Sequence, residues 1–177
     1  TYWLVRTVPT STGAATTQVQ GHDPDYLMSG FSVRTFDAEG RIRTEVVGDQ
    51  ARHYPDTLLL EIDGIRVRSF DAQGRLTTAS AQHGVTNDDS SELQLIGNAV
   101  VVREADTDTS GKTTPRMEYR GEFLHAFLNT EQIKSHKPVE LLRGNDRFTA
   151  DTLDFDNVEQ VLQLHGRVRG TLVPATP

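Results

Sequence analysis

VRTFDAEGRIRT, Val33 to Thr44, returns as VRSFDAQGRLTT from Val67 to Thr78, with eight identities in twelve positions at a spacing of 34. In both copies Arg alternates with apolar or small residues into a Phe-Asp-Ala-Glu/Gln-Gly turn, after which the alternation resumes. That pattern is a strand, a tight turn and a returning strand. Asp37 or Asp71 can accept from the backbone two residues on, and Gly40 or Gly74 can take the positive φ that a short hairpin loop demands. Two hairpins drifting to similar sequences would account for less of the identity than duplication of one structural unit.

A fainter repeat extends the unit. Ala81 precedes Leu93, Leu95 and Gly97 by the same distances as Ala150 precedes Leu162, Leu164 and Gly166, and Ala51 stands before Leu60, Ile62 and Gly64 with a shorter loop. Each unit therefore closes on Leu-x-apolar-x-Gly. Strand-length runs bounded by turn residues follow through the rest of the chain: Tyr26–Phe36, Arg43–Ala51, Leu58–Asp63, Ala79–Val85, Leu93–Val102, Met117–Leu128, Ile133–Leu142, Phe148–Phe155 and Val158–Val173. His53-Tyr54-Pro55-Asp56 and Asn87–Ser91 read as turns, and Asp106–Pro115, polar and rich in Gly and Thr, as an exposed mobile loop. No segment longer than about ten residues keeps a 3.6-residue period, so helices should be few or absent. The expected fold class is all-β, from repeated antiparallel hairpins that stack because none can bury its own apolar face: a jelly roll, a sandwich or an open solenoid-like stack.

The 177 residues suit one domain. A net charge of −7 argues against a nucleic-acid backbone as partner and against broad adhesion to an anionic membrane. With no cysteine, disulfides, thiolate chemistry and Cys-ligated zinc are excluded. Tyr2-Trp3-Leu4-Val5-Arg6 has the aromatic-then-basic pattern of a membrane helix leaving the bilayer. Four apolar residues span nothing, since a crossing takes roughly 20, so the expectation is the end of a truncated anchor. Thr7 to Gln20, with almost nothing to bury, reads as its flexible linker. The expected organisation is thus anchor remnant and linker in 1–20, a β domain in 21–173 and a short tail in 174–177.

Catalytic signatures are weak. The six histidines, 22, 53, 83, 125, 136 and 165, lack the paired spacing of a metal site on one element. Asp151, Asp154 and Asp156 resemble a calcium loop but lack its Gly and its terminal Glu. Gly111-Lys112-Thr113 ends like a phosphate-binding loop, yet Asp106 stands where the leading Gly belongs and no helix follows. Neither a nucleophile elbow nor a dinucleotide fingerprint occurs. No enzyme activity, metal or cofactor is expected. What the strands offer instead is apolar bulk: Phe31, Phe36, Ile62, Phe70, Leu95, Phe148, Phe155, Leu162 and Leu164 are read as inward-pointing, and Phe123 to Leu128 as apolar on both faces. An ordinary core explains these residues; so does a core open along one side that accepts an apolar ligand.

In order, Asp23-Pro24-Asp25-Tyr26, Phe36-Asp37-Ala38-Glu39-Gly40-Arg41, His53-Tyr54-Pro55, the second Phe-Asp-x-x-Gly, Asn87-Asp88, Leu95-x-Gly97, Ser135-x-x-Pro138-Val139 and Gly166-Arg167-Val168-Arg169-Gly170 resemble the LptC family over residues 21–173. That resemblance implies a single-pass component of lipopolysaccharide export: a periplasmic twisted β-jelly-roll shaped as an open boat, anchored in the inner membrane and carrying lipid A acyl chains in its groove. It implies docking of the N-terminal edge to the LptB/LptF/LptG transporter and of the C-terminal edge to LptA. Phe31, Ile62, Leu162 and Leu172 fall where the family lines its groove, and Gly144 falls at a glycine that matters for LptA docking. With the apolar strand positions Phe36, Phe70, Leu95 and Leu164, these make up the candidate lipid-binding set. The competing reading is a structural or polysaccharide-acting β-solenoid protein of the cell envelope.

Overall fold

The computed structural model describes residues 21–174, so the expected anchor remnant and linker, and all of the expected tail but Pro174, lie outside the described residues. Sixteen strands and no helix make up the described chain: β1 (Tyr26–Phe36), β2 (Ile42–Tyr54), β3 (Leu59–Asp63), β4 (Arg66–Phe70), β5 (Leu76–Ser80), β6 (His83–Asn87), β7 (Glu92–Arg103), β8 (Asp106–Thr107), β9 (Thr113–Thr114), β10 (Met117–Phe127), β11 (Gln132–Ser135), β12 (Val139–Arg143), β13 (Asp146–Ala150), β14 (Thr152–Asp156), β15 (Val161–His165) and β16 (Arg169–Thr171). All pairings are antiparallel and, apart from the β8–β9 hairpin, they join one continuous sheet.

That sheet is folded into two leaves. Four long strands, β1, β2, β7 and β10, run through both leaves and bend between them. The first leaf takes the start of β1, the end of β2, then β3, β6, the start of β7, the end of β10, β11, β14 and β15. The second takes the end of β1, the start of β2, then β4, β5, the end of β7, the start of β10, β12, β13 and β16. This is the expected antiparallel β-jelly-roll.

The bend is written in the Leu-x-apolar-x-Gly closures. Gly64, Gly97 and Gly166 follow those strand segments with φ of 62°, 78° and 70°. At these corners the chain turns from one leaf to the other through a left-handed residue, and only glycine does so without strain. Any Cβ there would also collide, with Asp49 at Gly64, Gln82 at Gly97 and Asp151 at Gly166. Successive corners are hydrogen-bonded to one another: Gly64 N–H donates to Gln82 O at 2.7 Å, Gln82 N–H to Gly97 O at 2.9 Å, and Asp151 N–H to Gly166 O at 2.9 Å.

Opposite the corners, the strands end in turns. In the second leaf the duplicated turn appears as expected, Asp37 Oδ1 accepting from the N–H of Glu39 and Arg41 at 3.0 and 2.8 Å, and Asp71 Oδ1 from those of Gln73 and Arg75, both at 2.9 Å. Asp108 repeats the arrangement with Ser110 and Lys112 at 2.9 and 3.0 Å. The segment read as a mobile loop is therefore a third copy of the same Asp-x-x-Gly-Arg/Lys turn, closing the β8–β9 hairpin. Several runs read as single strands, Ala79–Val85, Ile133–Leu142, Phe148–Phe155 and Val158–Val173, each break at a corner into two. Period-two alternation continues across such a break, so the pattern alone does not reveal it.

Buried residues of both leaves meet in one core, with Ile62, Leu95, Leu124 and Leu153 from the first and Ile65, Val101, Tyr119 and Leu141 from the second. The expected two-sided burial around Leu124 is corrected. Leu124 is inward and 0% exposed, whereas Phe123 and Phe127 stand on the outer face, where Phe123 meets the tilted His136 ring and Phe127 stacks on His125 at centroid distances of 4.3 and 4.1 Å. Leu95, also 0% exposed, sits where both leaves converge; Leu95→Ala is expected to cost about 3 kcal/mol, read as a shift in denaturant midpoint at constant slope. On the outer face, burial pushes the Glu118 carboxyl up, but hydrogen bonds from the Arg116 and Arg120 guanidiniums outweigh it and hold the pKa below the usual glutamate range. A lowered folded-state pKa contributes stability above the unfolded value, lost as pH falls through the folded one. Melting curves of Glu118→Gln are expected to fall less steeply with acidification below about pH 4.3 than those of the parent.

Candidate functional site

Register turns the inner faces into ordered rows, because directly paired residues share a face. Against the corners in the first leaf runs Met28, Ala51, Ile62, Gly84, Leu95 and Leu124, continued by Leu153 and Leu164. One pleat toward the open side come His53, Leu60, Thr86 and Leu93, then Ala126, Ile133, Phe155 and Leu162. The second leaf answers with Val33, Val46, Val67, Ala79, Val101, Tyr119, Leu141, Phe148 and Gly170. Apart from His53 and Thr86, both faces are apolar from the β1 end to the β15 and β16 end. Gly48 is small because it must be: a Cβ there would lie 2.6 Å from the Phe31 ring and 2.5 Å from Ile62.

Of the candidate residues, Phe31, Ile62, Leu95, Leu162 and Leu164 share this interior. Three do not. Phe70 follows Arg68 on the outer face, with the Arg68 guanidinium 5.6 Å from its ring centroid. Phe36 lies beyond a register shift in β1, opposite Ile42, and is 59% exposed. Leu172, past the end of β16, is 69% exposed. For Phe36 and Phe70 the inward reading is corrected: each stands three residues after an inward valine, Val33 and Val67, so alternation turns it outward. Gly144 closes the β12–β13 turn with φ 57°, its N–H donating to Arg116 O at 2.9 Å.

The interior also contains residues that the candidate set omits, notably Tyr119, Leu141 and Phe155. Their signal was the alternation of Met117, Tyr119 and Val139, Leu141, eclipsed by the more conspicuous Phe123–Leu128 run. Tyr119 and Phe155 meet across the leaves with centroids 5.7 Å apart. Burial pushes the Tyr119 phenol well above its ordinary range, partly offset by the Arg103 and Arg143 charges.

At the open side the inner face becomes polar. Arg103 and Arg143 both pair with Met117 in register, one on each side of it. Arg103 Nη1 donates to Asn157 Oδ1, tying the second leaf to the β14–β15 turn of the first. Among the described residues no group of His, Asp and Glu is arranged to hold a metal ion.

Two ends of the sheet remain without a second neighbour among the described residues. β1 pairs only with β2, while β15 pairs only with β14 and β16 only with β13. The arrangement is an apolar interior running between two unpaired edges.

Comparison with known proteins agrees with this geometry. Among solved structures, LptH of Pseudomonas aeruginosa, described as the LptA-homologous periplasmic component of the conserved lipopolysaccharide transport device, is similar over 74% of this chain and 95% of its own, with 12% identity and a TM-score of 0.60. At that identity the likeness establishes the shared β-jelly-roll. Among curated proteins none matches the sequence. The family of lipopolysaccharide-assembly, LptC-related proteins matches residues 1–173, so the chain belongs to the LptC family and its role lies in lipopolysaccharide transport.

Proposed function

We propose that this chain is a non-enzymatic carrier that receives lipopolysaccharide from the inner-membrane transporter LptB/LptF/LptG and passes it to the periplasmic bridge protein LptA. The observation that carries the proposal is the pair of apolar inner faces running from one unpaired edge to the other. An edge strand offers a row of backbone donors and acceptors to another chain's strand. Through β1 on one side and β15 and β16 on the other, neighbours of the same fold would extend both leaves, and with them the interior. Docking of the transporter at β1 suits the position of that edge at the start of the domain, next to the expected membrane anchor. Gly144 would act on LptA docking indirectly, by shaping the turn that carries β13, the partner of β16.

The lipid A acyl chains would lie between the leaves, against Phe31, Ile62, Leu95, Leu162 and Leu164. That space is filled by the protein's own side chains, Ile62 being 2% exposed, so entry requires the leaves to part. Each methylene buried is worth roughly 0.8 kcal/mol, and a chain of a dozen about 10 kcal/mol. That is the scale needed to offset separation of the Tyr119–Phe155 contact and its neighbours. A carrier of this kind supplies an apolar path; net work comes from the transporter. Phe36, exposed near the β1 edge, would meet lipid early, whereas Phe70 would act only through the outer face.

A photo-crosslinking residue at Phe31, and separately at Leu162, is expected to trap lipopolysaccharide in cells, and one at Arg66 on the outer face is not. Adducts at Arg66 alone would sink the proposal. Truncation after Arg167, which removes β16, is expected to abolish capture of LptA while the remaining domain still melts cooperatively and co-purifies with the transporter. Capture of LptA undiminished by the truncation would mean that the second-leaf edge is not its docking site.

A further inference from the structure

The inner-face arginines at the open side have no role in the interior's apolar contacts. Among the described residues, Arg43, Arg103, Arg143 and Arg169 have no carboxylate within ion-pair distance, while the other described arginines are paired. Arg43 faces outward and Arg169 lies on the outer row with Thr149 and Glu140. Of these four only Arg103 and Arg143 stand on the inner face, flanking Met117, and Asp146, the cross-strand partner of Arg143, turns its carboxylate to the Val173 N–H at 2.9 Å. Their backbones are two strands apart, about 10 Å, a gap that two extended guanidiniums close around one tetrahedral anion. One pleat inward of Met117 is Tyr119, whose hydroxyl donates to the weak acceptor Met117 Sδ at 4.0 Å.

Arg103 is held by a neutral amide. Asn157 is itself fixed: its Oδ1 also accepts from Gln160 Nε2 at 3.0 Å, its Nδ2 donates to Glu131, and its backbone N–H donates to Glu131 O at 3.1 Å. The Arg103–Asn157 hydrogen bond spans the two leaves directly over the Tyr119–Phe155 contact. An anion gives Arg103 a stronger partner than a carboxamide does.

We propose that Arg103 and Arg143 form a binding site for the headgroup phosphate of an amphiphile whose chains occupy the interior, and that capture of the phosphate takes Arg103 from Asn157 and so releases the bridge between the leaves. The proposal rests on the carrier function above and adds to it the headgroup contact and the trigger for opening. It separates the roles of the two faces: apolar rows hold chains, and the arginine pair reads the phosphate.

The test compares binding of lipid A carrying its phosphates with binding of the same lipid after phosphatase treatment, using the purified chain and its Arg103→Gln/Arg143→Gln, Asn157→Ala and Arg43→Gln variants. The parent is expected to prefer the phosphorylated lipid by about tenfold or more, and the double variant to lose that preference while retaining affinity for the dephosphorylated lipid. Asn157→Ala is expected to bind faster with the preference unchanged, and Arg43→Gln to match the parent. Equal binding of both lipids by the parent, or a preference that survives in the double variant, overturns this site and leaves the carrier function standing. Failure of the parent to bind either lipid overturns the carrier function itself. Inorganic phosphate at millimolar concentration is expected to compete weakly; saturation of Arg103 and Arg143 by inorganic phosphate with no gain from acyl chains would make this a free-phosphate site and overturn the headgroup assignment.

Discussion

Everything in this fold depends on the corners where strands pass from one leaf to the other. At three corners one residue lies in the left-handed region and the neighbouring corner is hydrogen-bonded to it, whereas β2 and β10 bend without such a residue. Gly64, Gly97 and Gly166 are those residues, and the polar side chains of Asp49, Gln82 and Asp151 occupy the space their missing Cβ atoms leave. Arg167 then covers Asp151 with two guanidinium nitrogens, at 3.0 and 2.7 Å. The corners thus form a polar, hydrogen-bonded spine on one side of an otherwise apolar interior, and the two leaves diverge from it.

Divergence explains the gradient across the inner faces. Beside the spine Ile62, Leu95, Leu124 and Leu153 fill the contact between the leaves, with Gly48, Ala51, Gly84 and Ala99 among them. Farther out, where the gap widens, Tyr119, Phe148, Phe155 and Leu162 fill it. At the open side Arg103, Asn157 and Arg143 meet water. The interior thus passes from apolar beside the spine to cationic at the open side.

Much of this was legible in the residues. The duplicated Phe-Asp-x-x-Gly hairpin and the Leu-x-apolar-x-Gly closures specify local conformations through side-chain acceptors and positive φ, which act over four or five residues and leave a direct trace. The third turn at Asp108 carried the same trace, hidden by flanking threonines that read as loop. Leu60, Ile62, Leu93, Leu95, Leu162 and Leu164 announced an inner face by alternation. Phe36 and Phe70 misled because alternation has no fixed phase: Val33 and Val67 point inward, and three residues on each aromatic points out. The omission of Tyr119 and Leu141 from the candidate site has the same origin, since a strand's inward face is decided by its partner.

The sequence by itself determined the all-β class, the turns, the repeating unit and the family, because each rests on short-range chemistry or on an ordered set of motifs. Only the tertiary structure decided which strands are shared between leaves, which edges stay unpaired and which polar groups face the interior. Those features arise from pairing between residues far apart in the chain. Nothing in the sequence around Arg103 distinguishes it from the paired arginines; it is the opposition of Met117 on one side and Asn157 across the gap that places its charge at the mouth of an apolar space.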